Sequence, residues 1–232
     1  MLNKDEIIKC IFQGWLNVSE FIIDTQDEEN KYHFQPEYLV TVKIADCIRD
    51  YFNTNHIMDK YSILMEEKTA KVFTRREKEI KEYYPSGGPK QYRREKESER
   101  KGRLDIVIYE KNYHSVLDSY RTICAIEIKN YYGYYKVIEK DIVRLLELKS
   151  NYVESNSFQF GIMTFIIKPN KKDWESVVEE NIDILQKYIF QISQNLLIKE
   201  ESVIKTKVIH KRYHDEECPK LKYVFIVAII II

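Results

Sequence analysis

Residues 102–110 read GRLDIVIYE and residues 124–130 read CAIEIKN, two segments in which charged side chains interrupt an apolar pattern. Both are rich in β-branched residues, which favours strands. Because side chains alternate between the two faces of a strand, Glu127 and Lys129 share one face, about 7 Å apart along the strand. Pairing of the two strands brings Asp105 beside Glu127. The two segments therefore predict two carboxylates and a lysine grouped on one face of a sheet.

This grouping has the composition of a site for phosphodiester chemistry. Two carboxylates, together with water and a phosphate oxygen, form the all-oxygen site that Mg²⁺ and Mn²⁺ prefer. A cation bound there polarises the phosphate and lowers the pKa of water. Lys129 would orient or deprotonate the attacking water and offset charge developing on phosphorus. The alternative interpretation is a surface cluster of ion pairs on an edge of the sheet.

The rest of the chain alternates between helical and extended patterns. Apolar residues at helical spacing predict helices over residues 4–24, from Gln35-Pro36-Glu37 onward, and over 137–152 and 171–198. Extended patterns predict strands over residues 62–74, 104–109, 122–129, 158–167, 203–211 and 223–232. We predict a single α/β domain over residues 1–232, with a mixed central sheet flanked by helices.

An acid on one strand and a carboxylate-x-lysine on the next, Leu104-Asp105 and Glu127-Ile128-Lys129, resemble the signature of the PD-(D/E)xK nuclease superfamily. Leu104 stands where the signature has proline. The resemblance covers residues 36–167, and the helix at 136–148 resembles the helix that packs beside the site in this family. It implies a restriction-endonuclease-like core, Asp105 and Glu127 as catalytic metal ligands, Lys129 as a catalytic residue and Mg²⁺ or Mn²⁺ as cofactor.

A further acidic residue is expected in such a site. Glu37, on the helix before the sheet, resembles the additional metal-side glutamate that many family members carry, and it is our preferred third catalytic and metal-binding residue. Glu66 or Glu67 would serve the same purpose from the preceding strand. The alternative for Glu37 is stabilisation of the helix N-terminus by its negative charge.

The segment from Lys68 to Arg103 is strongly basic, although the whole chain has a formal charge of zero. It holds thirteen lysines and arginines against six glutamates and no aspartate, a charge of +7. Such a local segment on a neutral protein is typical of a phosphate-contacting surface. Residues 75–102 are predicted to form an exposed excursion; the alternative is a solubilising loop without a ligand. The predicted nucleic-acid contacts are Lys90, Arg93, Arg94, Lys96, Arg100, Lys101 and Arg103.

Two further groups flank the predicted site. Tyr131 and Tyr132, in the run NYYGYY after the second strand, would either stack on unpaired bases or pack beneath a loop. Lys140, Asp141 and Arg144 on the next helix would either reach the site or form a solvated face with ion pairs along the helix.

Several classes of protein are disfavoured. The N-terminus MLNKDEIIKC has charges where a secretory signal has an apolar core, and four scattered cysteines fit a reducing cytoplasm. The run from Tyr223 to Ile232 is too short to span a membrane and predicts a buried strand, with a membrane-touching tail as the alternative. The motifs GxxxxGK[ST], GxSxG and HExxH are absent.

The resulting expectation is a cytoplasmic, Mg²⁺- or Mn²⁺-dependent nuclease that acts on DNA in preference to RNA and has no membrane partner. The resemblance implies a role in defence, mobile-element function or repair. A non-catalytic module of the same fold, binding nucleic acid or serving as an assembly subunit, is the alternative. A homodimer or a partner subunit is also expected, with the apolar C-terminal strand as a possible interface.

Overall fold

The structure, a computed structural model, describes residues 2–24, 36–68, 72, 102–111, 120–129, 135–149, 158–167, 174–195, 202–213 and 220–232. The described helices are α1 (Lys4–Asp24), α2 (Pro36–Thr54), α3 (Tyr135–Lys149) and α4 (Trp174–Asn195). The described strands are β1 (Tyr61–Lys68), β2 (Arg103–Lys111), β3 (Tyr120–Lys129), β4 (Phe160–Ile167), β5 (Ser202–Tyr213) and β6 (Lys220–Ile231).

The six strands form one mixed sheet in the order β1-β2-β3-β4-β6-β5. Strands β3 and β4 are parallel, and the other neighbouring pairs are antiparallel. Strand β4 lies inside the sheet, as its apolar sequence predicts. The predicted α/β class, with a mixed sheet and flanking helices, is confirmed.

The ends of the first elements follow from local chemistry. Helix α1 begins after Asn3, whose side-chain oxygen accepts hydrogen bonds from the backbone nitrogens of Asp5, at 3.1 Å, and Glu6, at 3.4 Å. This is an N-cap, and the acidic first turn adds to it. Helix α2 begins at Pro36, where a missing N–H costs no hydrogen bond. The extended segment predicted over 62–74 was too long, because β1 ends at Lys68 and Val72 is helical.

Alternating side chains divide the buried residues into two layers, one on each face of the sheet. Ile106 and Ile126 face α1 and α2, whereas Val107 and Ala125 face α3 and α4. One buried hydrogen bond joins α1 to the sheet, since Nε1 of Trp15 donates to Oγ1 of Thr164 at 2.9 Å.

The C-terminal strand β6 lies between β4 and β5, and its residues from Ile226 to Ile231 are buried. The prediction of a buried strand is confirmed. The prediction that this strand supplies a dimer interface was wrong, because both of its edges are paired within the chain and its residues from Ile226 to Ile231 pack into the two buried layers. Among the described helices, none has the length and hydropathy required to cross a bilayer.

Candidate active site

The structure brings the two predicted strands together in the expected orientation. The last regular pair of β2 and β3 joins Ile106 to Ile126, so Asp105 and Glu127 are the next residues along their strands. Oδ2 of Asp105 accepts a hydrogen bond of 2.6 Å from the backbone nitrogen of Ile128. The Asp105 carboxylate is therefore held against the segment that carries Glu127 and Lys129.

Asp105 is 8% exposed, and its environment disfavours the ionised carboxylate. Burial raises its pKa from 3.8 to about 6, although the Ile128 hydrogen bond and the nearby Lys129 both act in the opposite direction. The negative charges of Glu37 and Glu66 raise the pKa further. A cation bound at this position would relieve this unfavourable charge.

Glu127 is 1% exposed and forms a buried ion pair with Arg144 of α3, from Oε1 to Nη1. Burial raises the pKa of Glu127 well above its usual range, and the charge of Asp141 raises it further. The Arg144 guanidinium acts against both effects. In this structure, the positive charge in contact with Glu127 comes from an arginine.

Lys129 lies between two carboxylates, one from each layer of helices. Its Nζ is 3.5 Å from Oε1 of Glu37 on α2 and 3.4 Å from Oδ2 of Asp141 on α3. Burial by itself lowers the pKa of Lys129, but Asp141, Glu37 and the remaining site carboxylates more than compensate and raise it. The Lys129 ammonium is therefore protonated at neutral pH.

Asp141 connects the two cations of the site. Its Oδ1 lies 3.2 Å from Nη2 of Arg144, while its Oδ2 contacts Lys129. Asp141 and Arg144 are only 7% and 9% exposed, so the alternative of a solvated helix face is wrong for them; it holds for the exposed Lys140.

The sequence contained a signal for the buried position of Asp141. This residue follows Ile138 by three positions and precedes Ile142 by one, which places it on the apolar stripe of α3. A carboxylate on a core-facing stripe requires a charged partner.

Glu66 occupies an unusual backbone conformation beside Asp105. Strand β1 pairs Met65 with Ile106 and Glu67 with Leu104, so Glu66 lies opposite Asp105. Its φ of 55° is in the left-handed region, which a non-glycine residue adopts at a cost of about 1–2 kcal/mol. Of the two alternatives to Glu37, Glu66 is the one whose charge acts on Asp105.

Of the predicted nucleic-acid contacts, Arg103 is described, and it is exposed at the first position of β2. Its backbone oxygen accepts a hydrogen bond of 3.4 Å from Nη1 of Arg144. The remaining predicted contacts lie outside the described residues: Lys90, Arg93, Arg94, Lys96, Arg100, Lys101, Tyr131 and Tyr132.

The donors at the end of the sheet fit a hard divalent cation held by few protein ligands. Asp105 and Glu127 offer carboxylate oxygens whose ionised form is disfavoured by burial, in spite of Lys129 near Asp105 and Arg144 in contact with Glu127. Within the described part of the chain, no three Asp, Glu, His or Cys side chains lie close enough together to hold a metal ion. Glu37, Asp105 and Glu127 therefore do not form a three-residue metal-binding group in this structure. Mg²⁺ is commonly bound through one or two carboxylates plus water and phosphate, and such a site requires no third side chain.

Comparisons of the chain with protein-family models, with curated proteins and with solved structures find no match.

Proposed function

We propose that this protein is a nuclease of the PD-(D/E)xK type, which hydrolyses phosphodiester bonds of DNA with Mg²⁺ or Mn²⁺. The observation that carries the proposal is the hydrogen bond from Ile128 to Asp105, which holds a buried carboxylate beside Glu127 and Lys129. The mixed sheet with helices on both faces supports a restriction-endonuclease-like core.

In this proposal Asp105 and Glu127 hold the cation. The chemistry that Mg²⁺ or Mn²⁺ supplies when bound is Lewis acidity, which polarises a phosphate and makes water a better nucleophile. Burial disfavours the ionised form of both carboxylates in spite of the nearby Lys129 and Arg144, so a cation bound there would stabilise that form.

Lys129 acts as a hydrogen-bond donor in this mechanism. Its raised pKa keeps the amine protonated, and a protonated amine cannot accept a proton from water. Lys129 was expected either to orient or to deprotonate the attacking water, and its protonated state favours orientation. The same positive charge can stabilise negative charge that develops on the phosphate. Glu37 and Asp141 hold the ammonium from opposite layers.

The preference for a nucleic-acid substrate comes from the basic segment that ends at β2. Lys68 to Arg103 carries a charge of +7, and Arg103 is exposed two residues before Asp105. Lysines and arginines close to the reacting group bind the phosphate backbone by displacing counterions.

The test is cleavage of plasmid, linear duplex and single-stranded DNA and of RNA, in Mn²⁺, Mg²⁺ or EDTA. The expected result is metal-dependent cleavage that is lost in Asp105→Asn and Lys129→Met and retained in Lys140→Met, which removes an exposed charge from the same region. The absence of cleavage by the wild type under all these conditions, or equal cleavage by all four proteins, would contradict the proposal.

A second candidate is a non-catalytic module that binds nucleic acid or a partner subunit. The observation in its favour is the Glu127–Arg144 ion pair, in which an arginine neutralises a proposed metal ligand. Binding of DNA that is independent of divalent ions and unaffected by Asp105→Asn, without cleavage, would favour this candidate.

A further inference from the structure

Arg144 is a buried cation with several contacts at the end of the sheet. Its Nη1 pairs with Glu127 and donates to the backbone oxygen of Arg103 at 3.4 Å, while Nη2 lies 3.2 Å from Asp141. The residue is 9% exposed. The guanidinium therefore lies between a proposed metal ligand and the start of the strand that follows the basic segment.

The site has fewer positive than negative charges. With its side chains ionised, it contains five carboxylates, Glu37, Glu66, Asp105, Glu127 and Asp141, and two cations, Lys129 and Arg144, which leaves a charge of −3. Both cations already contact Asp141. A divalent cation would offset most of this negative charge.

The ion pair with Glu127 does not satisfy the whole guanidinium. Nε of Arg144 is buried and has no hydrogen-bond acceptor among the described residues. A buried donor without a partner is unfavourable, and native structures contain few of them. An arrangement in which Nε of Arg144 donates to an acceptor would therefore compete with the ion pair between Arg144 and Glu127.

We infer that Arg144 and the divalent cation are alternative partners of Glu127: the cation displaces the guanidinium, which then binds a phosphate oxygen of the nucleic acid. This inference rests on the proposed function. The guanidinium is a planar fork that matches phosphate, and the i, i+3 contact with Asp141 lies on the same helix and does not depend on Glu127.

Arg144 lies close to the start of β2, where the basic segment ends. Gly102, at the end of the basic segment, has a φ of 114°, and a Cβ at this position would lie 3.6 Å from Nη2 of Arg144. The backbone leading into β2 thus runs beside the guanidinium. A phosphate bound at the exposed Arg103 would be close to the displaced arginine.

The first experiment measures Mn²⁺ binding to the full chain by titration calorimetry, without nucleic acid. Arg144→Met removes the competing charge and keeps much of the apolar stem of the side chain. Because this substitution leaves Glu127 buried without its charged partner, Mn²⁺ is expected to bind at least about tenfold more tightly. Lys140→Met removes an exposed charge from the same helix and should change the affinity less than about twofold. Equal or weaker Mn²⁺ binding by a folded Arg144→Met protein would overturn the exchange.

The second experiment measures how DNA affinity depends on salt, in Ca²⁺ and in EDTA. If Arg144 binds phosphate only after a divalent cation displaces it from Glu127, Arg144→Met should remove one phosphate contact in Ca²⁺ and none in EDTA. The plot of log DNA-binding constant against log salt concentration should then be less steep by about one in Ca²⁺ and unchanged in EDTA. Equal slopes for wild type and variant in Ca²⁺ would overturn the phosphate contact. Glu127→Gln weakens the arginine's attachment without changing Arg144, and should bring the slope in EDTA towards that of the wild type in Ca²⁺.

Neither readout requires catalysis. Tighter Mn²⁺ binding by Arg144→Met supports the exchange even if the wild type cleaves no substrate, so failure of the nuclease proposal remains distinguishable from failure of the exchange. Arg144→Lys serves if the methionine variant does not fold. It keeps the charge but not the fork, so it should retain wild-type Mn²⁺ affinity within about threefold, and Mn²⁺ binding about tenfold tighter or weaker would contradict the exchange.

Discussion

The carboxylate of Asp105 accepts a hydrogen bond of 2.6 Å from the backbone nitrogen of Ile128. Ile128 is the residue between Glu127 and Lys129, so this bond ties Asp105 to the centre of the segment that carries the other two predicted site residues. It forms just beyond the last pair of the β2–β3 ladder, where a side-chain oxygen takes the place of a backbone acceptor. Asparagine keeps an oxygen for this bond and removes only the charge.

Replacement of Asp105 by asparagine is expected to change how the stability of the metal-free protein depends on pH. Burial raises the pKa of Asp105 from 3.8 to about 6, so the folded protein binds this proton more tightly than the unfolded chain. The resulting stabilisation is complete below pH 3.8 and is lost as the pH rises through about 6. The loss is about 3 kcal/mol at most.

Urea unfolding in EDTA across this range measures the effect. The wild type should lose stability relative to Asp105→Asn as the pH rises from about 4 to about 7. Asp50→Asn neutralises an exposed carboxylate on α2. A plot of its free energy of unfolding against pH should run parallel to that of the wild type. A curve for Asp105→Asn that is also parallel to the wild type would contradict the prediction.

Variants of Lys129 separate its two possible roles. Lys129→Met should lower cleavage by about 100-fold or more while Mn²⁺ binding is kept, because it removes a donor and not a metal ligand. Lys129→Arg retains a permanent positive charge and should keep measurable cleavage, since the raised pKa makes the native ammonium a donor. If deprotonation of Lys129 were required, arginine would abolish cleavage as completely as methionine.

The helices and strands were largely predictable from sequence because local periodicity reflects which face is buried. The predicted strand at 158–167 corresponds to β4, Phe160–Ile167, and the predicted helix at 4–24 corresponds to α1. The order of the strands was not predictable in this way. The apolar run of β6 identifies a buried strand but does not specify its neighbours, and the proposed dimer interface there failed because β4 and β5 pair with it.

The same distinction applies to the candidate site. Asp105, Glu127 and Lys129 could be placed together because strand alternation and antiparallel pairing are local rules. The ion pairs of Arg144 and Asp141 depend on how α3 docks against the end of β3, which periodicity does not specify. The position of Asp141 on the apolar stripe of α3 indicated burial, but not its partners.

Thr164→Val tests the buried hydrogen bond that joins helix α1 to the sheet. Oγ1 of Thr164 accepts a hydrogen bond from Nε1 of Trp15 at 2.9 Å and donates to the backbone oxygen of Val227 at 3.0 Å. Valine fills the same volume but leaves the Trp15 donor buried without this acceptor, which should cost about 1–3 kcal/mol in urea unfolding. Thr164→Ser keeps the hydroxyl and should lose only about 1 kcal/mol for the missing methyl. A valine variant as stable as the wild type would show that this bond contributes little.

Glu37→Gln distinguishes support of Lys129 from ligation of the metal. The carboxylate of Glu37 is 3.5 Å from Nζ of Lys129, and its charge also acts on Asp105. We expect cleavage to fall about tenfold through a less well held ammonium, with the Mn²⁺ dissociation constant changed by less than about twofold. Glu66→Gln is the matched control, because it removes another negative charge that acts on Asp105 from the β1 side. An effect on cleavage confined to Glu37→Gln would follow from its contact with Lys129, since both substitutions relieve the same repulsion at Asp105. A tenfold or greater weakening of Mn²⁺ binding by Glu37→Gln alone would instead make Glu37 a metal ligand, the role that the family resemblance implies.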